Sequence, residues 1–129
     1  MTFKLSAEKN EVPGSRTGIV DLHCDTILFC YTGNIPLPEY KGHINPDKLK
    51  AGNCLAQCFA LFIPTYDAAD QYLKKTLDPW SLYQELLQCY HTNMSVCSDL
   101  IRPALSASEV LQNGRQGLLS SILTVEDCV

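Results

Sequence analysis

The chain has 129 residues, 46% of them hydrophobic, with ordinary amounts of Gly and Pro, so it reads as one globular domain or a piece of one with a modest core. Its formal charge of −4 and the lack of any Lys/Arg cluster exclude the electrostatic footprint of a nucleic-acid or anionic-membrane surface, which leaves a small molecule as the expected partner. The seven cysteines are odd in number, irregular in spacing and mostly set in apolar segments (Cys24, Cys30, Cys54, Cys58), which argues for reduced core thiols over a disulfide framework.

Along the chain, "MTFKLSAEKNEVPGSRTG" carries Lys4, Glu8, Lys9 and Glu11 where a secretory signal needs an unbroken apolar run. No window approaches the roughly 18 apolar residues of a membrane span, so the chain reads as cytoplasmic. Residues 1–17 close on Pro13-Gly14-Ser15 and are expected to form a flexible leader, with the ordered domain running over 18–129. A first strand is expected over 18–24, followed by a loop rich in Gly and Pro (Gly33, Pro36, Pro38, Gly42). "NPDKLKAG" predicts a short helix with Asn45 as N-cap, Pro46 in its first turn and Gly52 just past its end. The apolar run "CLAQCFALFIP" is a second strand stopped by Pro64.

Asp78-Pro79 repeats the helix-start signal, and Leu82, Tyr83, Leu86, Leu87, Tyr90 and Met94 recur at three- and four-residue intervals, the stripe of an amphipathic helix. Trp80 reads with Tyr83 and Tyr90 as part of that buried stripe. Ser106 and Glu109 form a capping box for "SASEVLQN", which Gly114 would end, and "QGLLSSILTVE" is the third strand. Strands alternate with helices across long connections, so the fold class is α/β with parallel strands. Three strands in this length extrapolate to about 340 residues for an eight-stranded barrel, within the range of that fold. The chain therefore reads as the front part of an α/β domain, with about three strand-helix units present.

In "GIVDLHCDTILFC" strand alternation puts Ile19, Asp21, His23 and Asp25 on one face and Val20, Leu22 and Cys24 on the other, towards covering helices. His23 and Asp25 lie at the C-terminal end, where parallel α/β folds bind ligands, and an imidazole with a carboxylate suits zinc or a similar ion. A plainer alternative makes His23 a satisfied core histidine and Asp25 the cap of the turn at Thr26. Glu126 closes the third strand, where a carboxylate is costly unless paired or metal-bound; the alternative makes Glu126 and Asp127 solvated loop acids. His43 and His91 read as a loop residue and a helix-surface residue. Cys24 cannot pair with His23 across a strand, and Cys54 and Cys58, within one strand, are core thiols rather than a zinc knuckle. Asp21, deeper on the polar face, is left as hydrogen-bonding support for the ligands.

Together, "IVDLHCDTIL", "KGHINPDKLKAGNCLAQCFALFIP" and "GLLSSILTVED" resemble the N-terminal portion of the membrane (renal) dipeptidase family of binuclear zinc peptidases, over residues 18–127. The resemblance implies a TIM-like barrel, two zinc ions and a dipeptide substrate. It makes His23 and Asp25 ligands of the first zinc and Glu126 the catalytic bridge between both, with the ions activating a shared water and polarising the scissile carbonyl. The family takes two further histidine ligands, and its substrate-binding residues, from later strands than any present here, which implies little or no hydrolysis by this chain alone. Family members carry Gly after the bridging Glu where this chain has Asp127 and Cys128. The resemblance is to soluble members, with no membrane or nucleic-acid partner and a homo-oligomer as one assembly. Two other readings stand beside it: a non-catalytic fragment acting by association, and another metal-dependent amidohydrolase, although those usually present His-x-His on the first strand.

Overall fold

The run Cys54–Phe62 is apolar, aromatic and small-residue sequence without a charge, and as strand β2 it is buried almost throughout. In the computed structural model, which describes residues 18–64, 73 and 77–127, β2 is flanked by β1 (Ile19–Asp21) and β4 (Leu119–Glu126), with β3 (Ile101–Pro103) outside β4. The order is β1-β2-β4-β3, and every pairing is parallel, as expected for strands joined by helical crossovers. This is the parallel β/α arrangement of part of a (β/α) barrel. The expected leader over 1–17 lies outside the described residues, as does Cys128.

Three helices begin where their caps say they should. Asn45 accepts the Lys48 N–H at 3.0 Å to start α2 (Pro46–Ala51), Asp78 accepts the Ser81 N–H at 3.1 Å to start α3 (Pro79–Val96), and Ser106 accepts the Glu109 N–H at 3.3 Å to start α4 (Ala107–Arg115). Glu109 reaches back to the Leu105 N–H at 2.5 Å, one residue before the box it was expected to close. α4 runs through Gly114, and the left-handed turn falls instead on Gly117 at φ 76°. The helix α1 (Thr26–Gly33) replaces the first part of the expected loop. It shows no amphipathic stripe, because Thr26, Ile27, Leu28 and Cys30 are all buried, and Asn34 ends it at φ 48°.

The core lies between the sheet and the pair α1 and α3. Phe59 meets Tyr90 with ring centroids 6.4 Å apart, and Tyr90 Oη shares a hydrogen bond with Ser121 Oγ. One residue earlier in β4, Ser120 Oγ accepts from Asn113 Nδ2 of α4 at 3.1 Å. Adjacent strand residues face opposite sides, so α3 and α4 lie on opposite faces of the sheet. No helix among the described residues is long and apolar enough to cross a membrane.

Several expectations change. β1 stops at Asp21 rather than residue 24, and of the residues expected under helices only Cys24 is buried; Val20 is 47% and Leu22 74% exposed. Val20 lies on an edge strand and lines an open groove with Ala56 and Ile122 on the α4 side, where no described helix covers it. Trp80 is exposed because it precedes Leu82 by two positions, which turns it about 200° away from the buried stripe. β3 is an addition to the expected strands: three residues ending in proline give no alternation to read, and such a strand is tolerated at an edge.

Candidate metal centre

The site forms where β1 and β4 both run up against β2. Glu126, the last residue of β4, is the register partner of Phe62, and the Ile63 N–H donates to the Glu126 carbonyl at 3.2 Å. Across β2, Asp21 pairs with Gln57, and the chain beyond β1 keeps following β2 as far as Cys24, whose carbonyl accepts the Ala60 N–H at 2.9 Å. His23 and Asp25 therefore ride on a turn at the C-terminal end of the sheet, not on the strand face that alternation suggested.

The turn nevertheless brings both side chains to Glu126. His23 Nε2 is 3.4 Å from Asp25 Oδ1 and 3.7 Å from Glu126 Oε1, and one ligand atom from each residue lies within 4.8 Å of the others. The side chains keep 52%, 40% and 39% of their exposure for His23, Asp25 and Glu126, so the cluster opens to solvent.

Asp25 tests the plainer alternative directly. It occupies the N-cap position of α1, and its carbonyl accepts the Leu28 N–H at 3.0 Å, but its side chain makes no capping bond. The carboxylate points into the cluster instead, with Oδ1 out of solvent and without a hydrogen bond. A carboxylate oxygen held out of solvent without a hydrogen bond, with only the His23 imidazole beside it, favours a cation as its partner. One imidazole nitrogen and two carboxylates form a donor set that suits zinc or a similar divalent ion, and the arrangement fits such an ion. Glu126 shows the electrostatic strain of this gathering. Desolvation lifts its carboxyl above the ordinary range, the His23 imidazole pulls it down, and Asp25 and Asp127 push it up again.

The other candidates fall outside the cluster. His43 is set in the loop before α2, and His91 is an exposed α3 residue whose ring meets Tyr90 edge-on at 5.4 Å. Cys54 and Cys58 are buried thiols of β2, and Cys24, Cys30 and Cys97 are buried thiols as well. Asp127 holds the position after Glu126 at φ 54°, a left-handed conformation that suits glycine. Sequence reasoning assigns no role to Gln57, which is 1% exposed with Oε1 lacking a hydrogen bond, although a lone polar residue in an apolar strand is a visible signal.

Parallel β/α strands that deliver an imidazole and two carboxylates to their C-terminal ends have the layout of the metal-dependent β/α-barrel hydrolases. The family model of the membrane dipeptidases, peptidase family M19, matches residues 10–128, and the chain belongs to that family. Among solved structures it is similar to a dipeptidase described as a metallopeptidase of family M19, with a TM-score of 0.70 and 16% identity. That match covers 88% of this chain and 38% of the solved one, so the chain spans well under half the length of that relative. At this identity the likeness speaks for the fold. No curated protein matches the chain.

Proposed function

We propose that residues 18–129 are the front part of a zinc-dependent dipeptidase barrel, with His23 and Asp25 as ligands of one ion and Glu126 as the bridging ligand nearest the reacting atoms. The observation that carries this is the Asp25 carboxylate. It stands at a helix N-cap without capping, and aims a buried, unbonded oxygen at an imidazole and a second carboxylate.

When bound, zinc ions supply Lewis acidity towards a peptide carbonyl and acidify a water. The residues present do the holding. His23 offers Nε2 between the two carboxylates, Asp25 and Glu126 offset the cation's charge, and the pairing of β4 with β2 fixes Glu126 opposite the turn. The half-exposed mouth leaves a small peptide free to approach from solvent. Family membership supports a dipeptide as the substrate and two ions as the complement of the complete site. Among the described residues one ligand cluster is present, which supports one ion and little or no hydrolysis by these residues alone.

The test is zinc titration of the metal-stripped chain by calorimetry, with a dipeptide hydrolysis assay beside it. Binding at one ion per chain that His23→Ala abolishes is the expected result. No binding by the wild-type chain, or binding untouched by His23→Ala, refutes the metal site; rapid dipeptide turnover by this chain refutes the reading that its ligands are too few for catalysis.

A further inference from the structure

β1 ends at Asp21, and residues 22–25, which carry both His23 and Asp25, must be held without a regular strand ladder. Asp25 is fixed from behind, because its carbonyl accepts from Leu28 at 3.0 Å and Phe29 at 3.4 Å in the first turn of α1. Cys24 is fixed by its buried side chain and by the Ala60 N–H on its carbonyl. His23 is held differently. It is exposed, and its backbone N–H donates to Asp21 Oδ1 at 3.3 Å.

We propose that Asp21 is a positioning residue of the metal centre, its carboxylate accepting the His23 backbone N–H and so setting where the imidazole meets Asp25 and Glu126. The proposal rests on the metal-centre reading. Asp21 is placed for this role rather than for solvation: it is half-buried, its register partner Gln57 is fully buried, and its charge is felt by the neighbouring thiols of Cys24 and Cys58. The bond closes a three-residue loop from the last strand position to the ligand, so removing the acceptor frees His23 while leaving the ladder of β1 with β2 in place. An amide oxygen can accept the same bond as a carboxylate oxygen. The role therefore belongs to the acceptor at this position, and Asp21→Asn keeps it where Asp21→Ala does not.

Two readouts test this on the whole chain, with folding checked by circular dichroism. The first is hydrogen exchange of the His23 amide in metal-free protein, and the second is zinc affinity by calorimetry. Asp21→Ala is expected to lose the amide protection and to weaken zinc binding about 10–100-fold, the range typical when the residue orienting a metal ligand is removed, while Asp21→Asn keeps both. Unchanged protection and affinity in Asp21→Ala, or an Asp21→Asn variant as impaired as Asp21→Ala, overturns the proposal. If the wild-type chain binds no zinc, the metal-centre reading fails, and the exchange arm still decides whether Asp21 ties His23. If Asp21→Ala does not fold, the wild-type chain decides: an exposed His23 whose amide exchanges at the free-peptide rate has no such tie.

Discussion

Replacing Glu126 by Gln should stabilise the metal-free chain and destabilise the zinc-loaded one, a reversal of sign that few structural residues would show. The Asp25 and Glu126 oxygens lie within 4.8 Å of one another. Two like charges at that distance repel by about 0.9 kcal/mol at the dielectric of water and about 3.5 kcal/mol at an effective value near 20. With both side chains about 40% exposed, the lower end applies, so the substitution relieves about 1 kcal/mol. For a chain of this size that is about 3–5 °C in melting temperature. The pH dependence has a defined sign. The Glu126 carboxyl holds its proton more tightly folded than unfolded, so its contribution is present below the unfolded pKa and lost as pH rises through the folded one. The gain from Glu126→Gln should therefore appear at about pH 7.5 and vanish near pH 4. Zinc at about 100 times its dissociation constant adds about 2.7 kcal/mol to a chain that binds it and nothing to one that does not. Thermal melts in chelator and in zinc, at both pH values, measure each of these effects. A Glu126→Gln variant less stable than wild type in chelator at the higher pH would refute the reasoning, because it would mean that the carboxylate gains more from its surroundings than it loses.

Asp127→Gly should raise stability by about 0.5–1 kcal/mol, seen as a higher urea midpoint, since the residue sits at φ 54° where glycine carries no Cβ penalty; a lower midpoint would show that the Asp127 side chain contributes more than its backbone costs. Burial pushes the Cys30 thiol up to about 12, with Cys89, Cys24 and Cys97 adding to it, and burial also raises Cys24, Cys58, Cys89 and Cys97. The buried thiols Cys24, Cys30, Cys58 and Cys97 should resist a thiol-reactive dye at about pH 7.5 until urea unfolds the chain, and fast labelling of any of these four in the native protein, located by mass spectrometry, would contradict their burial.

Where local chemistry decides structure, the sequence is readable. Asn45-Pro46, Asp78-Pro79 and Ser106 with Glu109 mark helix starts because each offers an oxygen to orphan amides, and all three bonds are present. α1 is missed although Asp25-Thr26 offers a helix start, because Thr26, Ile27, Leu28 and Cys30 are all buried and leave no amphipathic stripe to read, and the Asp25 carboxylate is turned to the site instead of capping. β3 is set by pairing with β4 rather than by anything in Ile101–Pro103. For the site, residue types and family likeness point to His23, Asp25 and Glu126, and the strand used to join the first two is shorter than expected, since the ladder of β1 ends two residues before His23.

Register is what converts these three residues into one site, and it is fixed far from them. β2 donates no ligand, yet Glu126 is placed by pairing with Phe62, and the turn is placed by Asp21 opposite Gln57 and by Cys24 against Ala60. A one-residue slip of β4 would move Glu126 by about 3.3 Å and turn its carboxylate to the other face of the sheet, out of the cluster. Hydrophobic burial alone guards weakly against that slip, because β4 opens with Leu119 and Ser120 and continues through Ser121 to Ile122, with no strict alternation to lose. The two serines do guard against it. Both are completely buried, Ser120 hydrogen-bonded to Asn113 of α4 on one face and Ser121 to Tyr90 of α3 on the other. A one-residue slip puts one serine in the other's place, but it leaves the displaced serine and the abandoned helix partner (Asn113 or Tyr90) as buried polar groups without their bond, at a cost of about 1–3 kcal/mol apiece. The helices at the N-terminal half of β4 thus hold in place the carboxylate at its C-terminal end.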